Sequence, residues 1–332
     1  MIFFYLAVMV IASFLLIKAT DLLAINLKAL AKDTKLGQLA LSGFILALAT
    51  SLPELSVSMA AAFSHQSNLA LGVVLGSNLI NLSLVIGGAS LLAGRVMVKG
   101  KFLRQDIFYT FLAGTAPMVL LFDRKLGRID GIILLAIYGF YNIWVLNGHK
   151  RHQELLDQHE ETIKDKINHF LVRRLKSRRT RRELAWVFVG LALLLFSAEI
   201  LVKSASQIAL GLNLPILLIG LFLVSIGTSL PELALSIRAI QKKMPQMVFG
   251  NILGSVAANG TLIIGLTALV HPIQIVAFKE YLLATLAFII IFAFFYLFTL
   301  TKHRLDRWEG LFLLLLFLVF ALLELTGWLN FT

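Results

Sequence analysis

The chain has 332 residues, of which 59% are hydrophobic and only 14% are charged, with a formal net charge of +12. This composition excludes an ordinary water-soluble domain and is typical of an integral membrane protein. Because the sequence contains no cysteine, it also excludes disulfides and thiolate metal sites.

Ten apolar runs, each about twenty residues long, follow one another along the chain, and a helix of that length crosses the hydrocarbon core of a bilayer. We therefore predict an all-α polytopic membrane protein with ten transmembrane helices. The first run lacks the basic region and the cleavage site of a signal peptide, so we interpret it as the first span. The predicted spans are 2–24, 36–63, 69–93, 104–122, 127–146, 184–210, 214–240, 245–270, 278–300 and 309–330.

One long polar segment, 147–183, separates the fifth span from the sixth and carries eleven Lys or Arg against six Asp or Glu. It divides the chain into two five-span halves, 1–146 and 184–332. Basic residues are retained on the cytoplasmic side of membranes, and 24 of the 30 Lys and Arg lie in loops that follow odd-numbered spans. We therefore predict a multi-pass protein of the cell (plasma or inner) membrane, with a cytoplasmic 147–183 loop and both termini outside.

The most basic part of this loop is RRLKSRRTRR at 173–182. A basic loop beside a membrane helix is explained by topology and by attraction to anionic lipid headgroups. Anionic lipids of the bilayer are therefore the candidate partner of 173–182, and we expect no nucleic acid and no obligate protein partner.

The two halves carry the same motif 178 residues apart. TSLPELSVS at 50–58 matches TSLPELALS at 228–236 at seven of nine positions, and the same shift aligns GVVLGS at 72–77 with GNILGS at 250–255. Chance does not maintain one register over so many positions. Because five spans is an odd number, the two copies enter the membrane from opposite faces. The sequence thus predicts two inverted five-helix repeats, which in secondary transporters place ion sites near the bilayer midplane.

A proline interrupts spans 2 and 7 within each motif. Pro53 cannot donate a backbone hydrogen bond, and its ring clashes with the carbonyl four residues earlier, so the helix breaks or kinks there. At hydrocarbon depth an irregular backbone survives only where it lines a cavity or is buried in protein. We therefore predict that helices 2 and 7 are discontinuous around a central polar cavity.

Glycines line spans 3 and 8 at the close spacing that small residues show where membrane helices pack tightly. We expect them to bring the polar residues of these spans up against spans 2 and 7. The glycines are Gly72, Gly76 and Gly87 in the first half and Gly250, Gly254 and Gly265 in the second.

Two glutamates, Glu54 and Glu232, lie about midway along spans 2 and 7. A charge at that depth costs at least about 2.5 kcal/mol, so each carboxylate is a functional candidate, and the pair repels unless a cation or protons intervene. The other candidate ligands are also oxygens, which hard cations such as Ca²⁺ accept in sets of about six to eight. They are the hydroxyls of Thr50, Ser51, Thr228, Ser229, Ser77 and Ser255, the amide oxygens of Asn81 and Asn259, and freed carbonyls around Ala47 and Ser225.

With ATSLPE at 49–54 and GTSLPE at 227–232, the chain resembles the cation/calcium antiporter superfamily, and within it the prokaryotic sodium/calcium exchangers. The segments 42–87 and 220–265 look like the two α-repeats of that family. The resemblance implies Na⁺-driven Ca²⁺ transport by alternating access, in which the first and sixth helices slide as a gating pair against the other eight.

The resemblance also implies roles for the candidate ligands, with Ca²⁺ and Na⁺ as transported ions and no cofactor. Glu54 and Glu232 would be shared by Ca²⁺ and Na⁺. Hydroxyls and backbone carbonyls would form the Na⁺ sites. The hydroxyls are those of Thr50, Ser51, Thr228, Ser229, Ser77 and Ser255, and the carbonyls are those of Ala47 and Ser225.

Three departures from the family pattern bear on the site. Asn259 stands where some members have Asp, which leaves two central carboxylates and argues against K⁺ co-transport. Val73 and Val256 each replace an asparagine of the pattern, and so remove two amide groups.

Two other transport functions remain open from the residues alone. Buried glutamates carry protons as readily as they bind metal, so Ca²⁺/H⁺ antiport is the first alternative. A cation channel is the second, although the sequence has no repeated ring of pore-lining charges. We expect no enzymatic activity, because no catalytic constellation falls at membrane depth.

Overall fold

The structure, a computed structural model, describes residues 2–32, 50–97, 101–153, 178–241, 245–302 and 304–329. Helices occupy all ten predicted spans within these residues. They are α1 (Ile2–Lys32), α2 (Leu52–Phe63), α3 (Ser67–Ile80), α4 (Ile86–Ala93), α5 (Lys101–Leu120), α6 (Arg128–Gln153), α7 (Arg178–Leu212), α8 (Ile216–Leu218), α9 (Ser225–Thr228), α10 (Leu230–Gln241), α11 (Pro245–Ala257), α12 (Ile264–Val270), α13 (Phe278–Lys302) and α14 (Arg307–Leu329).

Shorter elements join or interrupt these helices. The π-helical segments are π1 (Asn81–Val85), π2 (Ile219–Val224) and π3 (Ala258–Ile263), and Leu121–Asp123 is a 3₁₀ turn. The strands are β1 (Arg95–Met97), β2 (Lys125–Leu126), β3 (Ile273–Gln274) and β4 (Arg304–Asp306).

The predicted all-α polytopic membrane fold is confirmed. Seven helical stretches among the described residues are long and apolar enough to cross a membrane. The first part of predicted span 2, 36–49, lies outside the described residues, as does most of the 147–183 loop. At the edges of that loop the helices run further than predicted, because α6 continues to Gln153 and α7 begins at Arg178. Arg, Lys and Gln are good helix formers, so the helices continue where the apolar run ends.

Two antiparallel strand pairs support the inverted topology. Strand β1, which follows span 3, pairs with β4, which precedes span 10. Strand β2, which precedes span 5, pairs with β3, which follows span 8. Paired strands lie at the same membrane surface, so the end of span 3 shares a surface with the end of span 9. This is the arrangement expected when the second half enters the membrane from the opposite face to the first.

Spans 3, 7 and 8 are not uniform α-helices, because each contains a π-helical segment. The 178-residue shift places Asn81, the first residue of π1, on Asn259 within π3. An inserted residue in a helical turn rotates the side chains that follow it, and such π-bulges are frequent at functional sites. The repeat is therefore preserved in an irregular backbone feature as well as in sequence.

The predicted discontinuity of span 7 is confirmed at Ser229, and the equivalent Ser51 of span 2 has the same backbone conformation, while residues 36–49 of span 2 lie outside the described part of the chain. Ser51 precedes α2 with φ −86° and ψ 2°, and Ser229 separates α9 from α10 with φ −84° and ψ 0°. In both spans the proline lies in the first turn of the helix that follows, the helical position that best tolerates its missing N–H.

Two of the six predicted glycines, Gly72 and Gly76, allow a close approach of span 3 to span 7. The expectation is not met at three others, because Gly87 faces span 10, Gly265 faces span 5, and Gly250 has no atom within 4 Å of an added Cβ. A Cβ on Gly72 would clash with the carbonyl oxygen of Leu217 and would lie 3.1 Å from the backbone nitrogen of Leu221. A Cβ on Gly76 would likewise clash with the Leu221 carbonyl oxygen and lie 2.5 Å from the Ser225 hydroxyl. Only glycine permits this contact, which places the polar end of α3 beside span 7.

Buried apolar side chains form two main clusters. The larger one joins spans 3, 4, 5, 7, 8, 9 and 10, and its largest members include Phe249, Phe288 and Phe292. In the second cluster α1 and α7 pack along each other through residues such as Leu16 and Leu201, and together contact spans 2, 3 and 7. Helices α1 and α7 thus form a pair at the side of the main core.

Candidate cation site

The two predicted glutamates are completely buried, with 0% of either residue exposed. Glu54 lies in the first turn of α2 and Glu232 in the first turn of α10. Each carboxylate therefore lies near the positive end of a helix dipole, which stabilises negative charge. The motif TSLPE builds this arrangement locally, because the proline restarts the helix just before the glutamate.

The negative charges of this site have no protein counter-charge in the described part of the chain. No Lys or Arg is among the buried residues of the described part of the chain. Ser77 donates a hydrogen bond to Glu54 Oε1 at 3.3 Å, whereas Glu54 Oε2 and both carboxylate oxygens of Glu232 have no donor at ordinary hydrogen-bond distance among the described residues. The hydroxyls that lie nearest Glu232 are those of Thr50 and Ser255. Buried oxygens are normally paired, so three unpaired carboxylate oxygens indicate a place for a cation or protons.

Each glutamate is faced by hydroxyls from both repeats. Glu54 lies beside Ser77 and Thr228, and the oxygens of that serine and threonine are 3.2 Å apart. Glu232 lies beside Thr50 and Ser255, and their hydroxyl oxygens are 3.4 Å apart. We call Thr228, Glu54 and Ser77, with Asn81 four residues after Ser77, the Glu54 half. We call Thr50, Glu232 and Ser255, with Asn259 four residues after Ser255, the Glu232 half. The 178-residue shift converts one half into the other.

The two halves are in contact with each other. Glu54 is close enough to act electrostatically on Glu232. Ser51 donates a hydrogen bond to the Ser255 hydroxyl at 3.2 Å, which links span 2 to span 8. The equivalent Ser229 is also buried, but its hydroxyl has no partner among the described residues.

The asparagines named from the sequence are buried within the same spans. Asn259 donates a hydrogen bond from Nδ2 to Asn78 Oδ1 at 3.0 Å, which leaves its own Oδ1 without a donor among the described residues. Neither amide atom of Asn81 has a partner there. Unpaired buried amide oxygens are ligands that Ca²⁺ and Na⁺ accept.

The expectation of a freed carbonyl at Ser225 is not met in this structure. Its oxygen accepts hydrogen bonds from the Ser229 N–H at 3.0 Å and from Thr228 Oγ1 at 3.2 Å. Helical hydrogen bonding continues through Ser229, and the N–H that Pro231 lacks would have bonded Gly227 instead. A role for this carbonyl would require a local rearrangement. Ala47, the other predicted carbonyl ligand, lies outside the described residues.

Four buried polar residues near the site were missed as candidates. Asn78 and Asn251 form hydrogen bonds with the candidate ligands Asn259 and Thr50. Ser58 and Ser236 follow the glutamates by one helical turn, and their hydroxyls have no partner among the described residues. The signal for the serines was present, because both lie at identical positions of the repeated nine-residue motif.

The charged side chains of α1 and α7 that lie within predicted spans are exposed. Lys203 and Glu199 form an ion pair at 2.6 Å one turn apart on α7, with side chains 72% and 56% exposed. The two side chains therefore form a local pair at the exposed surface of α7. Lys18 lies over the ring of Phe14, 5.3 Å from its centroid. These exposed groups do not compensate the buried glutamates.

Inverted helical repeats around a buried cluster of oxygen ligands define a polytopic membrane protein of the ion-carrier class. A family profile described as "Sodium/calcium exchanger protein" matches residues 4–147 and 183–326, and the chain belongs to this family. The match covers both repeats and omits most of the polar segment between them.

Individual relatives resemble the chain over most of its length. "Inner membrane protein YrbG" of Escherichia coli is 30% identical over 271 residues, or 81% of each chain. "Sodium/calcium exchanger MaX1" of Methanosarcina acetivorans is 24% identical over 330 residues, or 92% of this chain and 94% of the relative. A solved structure of the sodium-calcium exchanger NCX_Mj, soaked with 10 mM Na⁺ and zero Ca²⁺, has a TM-score of 0.61 and 26% identity and covers 96% of this chain and 98% of its own.

Proposed function

We propose that the protein exchanges Na⁺ for Ca²⁺ across the membrane by alternating access to the site between Glu54 and Glu232. The observation that carries this proposal is the pair of fully buried carboxylates without a protein counter-charge in the described residues. Membership of the exchanger family and the resemblance to MaX1 and NCX_Mj support Na⁺ and Ca²⁺ as the ions.

Charge balance explains why the ions would be exchanged rather than carried together. The two carboxylates balance one Ca²⁺ or two Na⁺. Simultaneous occupation by Ca²⁺ and two Na⁺ would leave an excess of positive charge in a low-dielectric interior, where uncompensated charge is costly. Binding of one ion species therefore favours release of the other. If exchange uses more than two Na⁺, the loaded carrier is positive and transport is electrogenic.

The proposed ligands all carry oxygen and come from both repeats. The two glutamates would bind both ions, while the neutral oxygens complete the coordination of Ca²⁺ and provide Na⁺ sites. The neutral ligands proposed are Thr50, Ser51, Thr228, Ser229, Ser77, Ser255, Asn81 and Asn259 by their side chains, Ala47 by its carbonyl, and Ser225 by its carbonyl after the local rearrangement described above.

Alternating access would be provided by the pair α1 and α7. These two helices pack along each other and contact the rest of the protein mainly through spans 2, 3 and 7. A sliding motion of this pair would leave the main buried cluster intact while it opens the site to one surface or the other. We assign the protein no enzymatic role and no cofactor.

The proposed location is the cell membrane, with both termini outside and the 147–183 loop in the cytoplasm. The distribution of Lys and Arg along the chain supports this orientation. The basic stretch 173–182 would then lie against anionic headgroups of the cytoplasmic leaflet.

Transport in reconstituted vesicles tests the proposed function. Vesicles that contain the purified protein are loaded with Na⁺ and diluted into Na⁺-free medium with Ca²⁺, and we expect Ca²⁺ uptake that stops when the Na⁺ gradient is removed. A parallel experiment applies a pH gradient in place of the Na⁺ gradient. Uptake that follows the pH gradient and ignores Na⁺ would establish Ca²⁺/H⁺ antiport, and uptake that needs neither gradient would indicate a channel.

A further inference from the structure

The two halves of the site differ at two buried positions, where one repeat has asparagine and the other has valine. The 178-residue shift aligns Val73 with Asn251 and Asn78 with Val256. None of these four residues is more than 3% exposed. The carboxylates, threonines and serines of the halves match in type, so these positions are where the halves become chemically unequal.

Asn251 holds the hydroxyl of Thr50. Thr50 Oγ1 donates a hydrogen bond to Asn251 Oδ1 at 3.0 Å. A hydroxyl that binds a cation must turn its lone pairs toward the ion and its proton elsewhere, and Asn251 accepts that proton. In the other half Thr228 donates to the Ser225 carbonyl of its own span at 3.2 Å, and the equivalent of Asn251 is Val73, which has no acceptor.

Asn78 holds the amide of Asn259 in a similar way. The bond from Asn259 Nδ2 to Asn78 Oδ1, 3.0 Å long, fixes the amide plane and leaves the Asn259 oxygen available. In the other half Asn81 has no hydrogen-bond partner among the described residues. The position that matches Asn78 there is Val256, which offers neither donor nor acceptor.

Both asparagines therefore support ligands of the same half, since Thr50 and Asn259 belong with Glu232. We propose that Asn78 and Asn251 are positioning residues that preorganise the Glu232 half, so that the two halves bind Na⁺ with unequal affinity. In the Glu54 half no asparagine of another span holds Thr228, and the ion itself must organise Asn81, which weakens binding by the cost of that ordering. This inference rests on the proposed exchange of Na⁺ and Ca²⁺.

The test is the variant Asn251→Val, which introduces the residue that the first repeat has at this position. Purified full-length protein in detergent is equilibrated with radioactive Ca²⁺, and Na⁺ is added until half of the Ca²⁺ is displaced. We expect the Na⁺ concentration required to rise about five-fold, the factor that corresponds to the loss of one net hydrogen bond. The dissociation constant for Ca²⁺ should change less than about two-fold, since the two carboxylates dominate Ca²⁺ binding.

The reciprocal variant Val73→Asn gives the Glu54 half the acceptor that it lacks. We expect it to lower the displacing Na⁺ concentration, because Thr228 gains the partner that Thr50 has. In a Thr50→Val background, Asn251→Val should have no further effect, since Asn251 acts through the Thr50 hydroxyl. This double-variant comparison separates a positioning role from a general packing role.

Two outcomes would overturn the inference. One is an unchanged displacing Na⁺ concentration in Asn251→Val, and the other is an equal loss of Na⁺ and Ca²⁺ affinity, which indicates structural damage alone. The proposed function is judged separately by wild-type flux. If wild-type protein binds Ca²⁺ and releases it when Na⁺ is added, but shows no Na⁺-dependent uptake in vesicles, the proposed exchange function is rejected. The inference about the two halves is then decided by the Na⁺ and Ca²⁺ affinities of the variants relative to wild type. Wild-type protein that binds neither ion would reject both.

Discussion

Replacement of either central glutamate, as Glu54→Gln or Glu232→Gln, is expected to reduce Na⁺-dependent Ca²⁺ uptake at least about 100-fold. Each glutamate supplies half of the negative charge in a site that has no other anionic group among the described buried residues around it. A carboxylate in contact with Ca²⁺ contributes several kcal/mol even at an effective dielectric constant of about 20, which is more than enough for this loss. Glutamine keeps the shape of the side chain and removes the charge.

The same variants should remain folded, and the ion-free protein should be as stable as wild type or more stable. Glutamine relieves an uncompensated buried charge, and that relief favours the folded state. Uptake into vesicles and the thermal unfolding of the detergent-solubilised protein are the two measurements. The control is Glu199→Gln, since Glu199 is also within a predicted span but is exposed and paired with Lys203. Full uptake by both central variants, or loss of uptake by the control, would contradict the assignment of the site.

Gly72→Ala is expected to lower the apparent unfolding temperature by roughly 5 °C or more and to reduce the yield of folded protein. The added methyl group would clash with the Leu217 carbonyl oxygen and approach the Leu217 carbonyl carbon to 3.0 Å. These are backbone atoms of a packed helix and cannot move away individually. Overpacking of this kind costs about 1–3 kcal/mol, and a larger separation of spans 3 and 7 would also displace Ser77 from Thr228.

Gly88→Ala is the matched control, because Gly88 lies in the same span and has no atom within 4 Å of the Cβ that alanine would add. Alanine has the higher helix propensity, so this variant should be as stable as wild type or slightly more stable. Thermal unfolding monitored by size-exclusion chromatography compares the two variants directly. An equal loss of stability in both would show that helix propensity, and not the contact with span 7, determines the effect.

Much of the architecture could be predicted from the sequence, because membrane spans and inverted repeats leave strong periodic signals. The ten spans follow from apolar length alone, and the discontinuities of spans 2 and 7 follow from Pro53 and Pro231 at hydrocarbon depth. Glu54 and Glu232 were found for an equally direct reason, since a buried charge within a span is too costly to occur without a purpose.

Other features depend on three-dimensional contacts that no local pattern encodes. The hydrogen bond between Thr50 and Asn251 joins residues 201 positions apart, and only packing of span 2 on span 8 brings them together. The Ser225 carbonyl was expected to be free because a proline follows, but the N–H that is missing belongs to a different helical turn. The π-helical segments were also not anticipated, since a single inserted residue in a turn has no distinct sequence signature.

The two small sheets suggest which parts of the molecule stay together during transport. Sheet β1–β4 joins the first repeat to the second at one membrane surface, and sheet β2–β3 does the same at the opposite surface. Their backbone hydrogen bonds tie the ends of spans 3, 5, 8 and 10 to one another. Among the described residues no strand adjoins α1 or α7. The two repeats are thus connected by backbone hydrogen bonds at both ends of the main core. Within the described residues, helices α1 and α7 take no part in these connections. In the proposed cycle, movement of this pair alone would expose the site to either side without breaking a strand pairing, so the same two sheets would be present in both end states of the cycle.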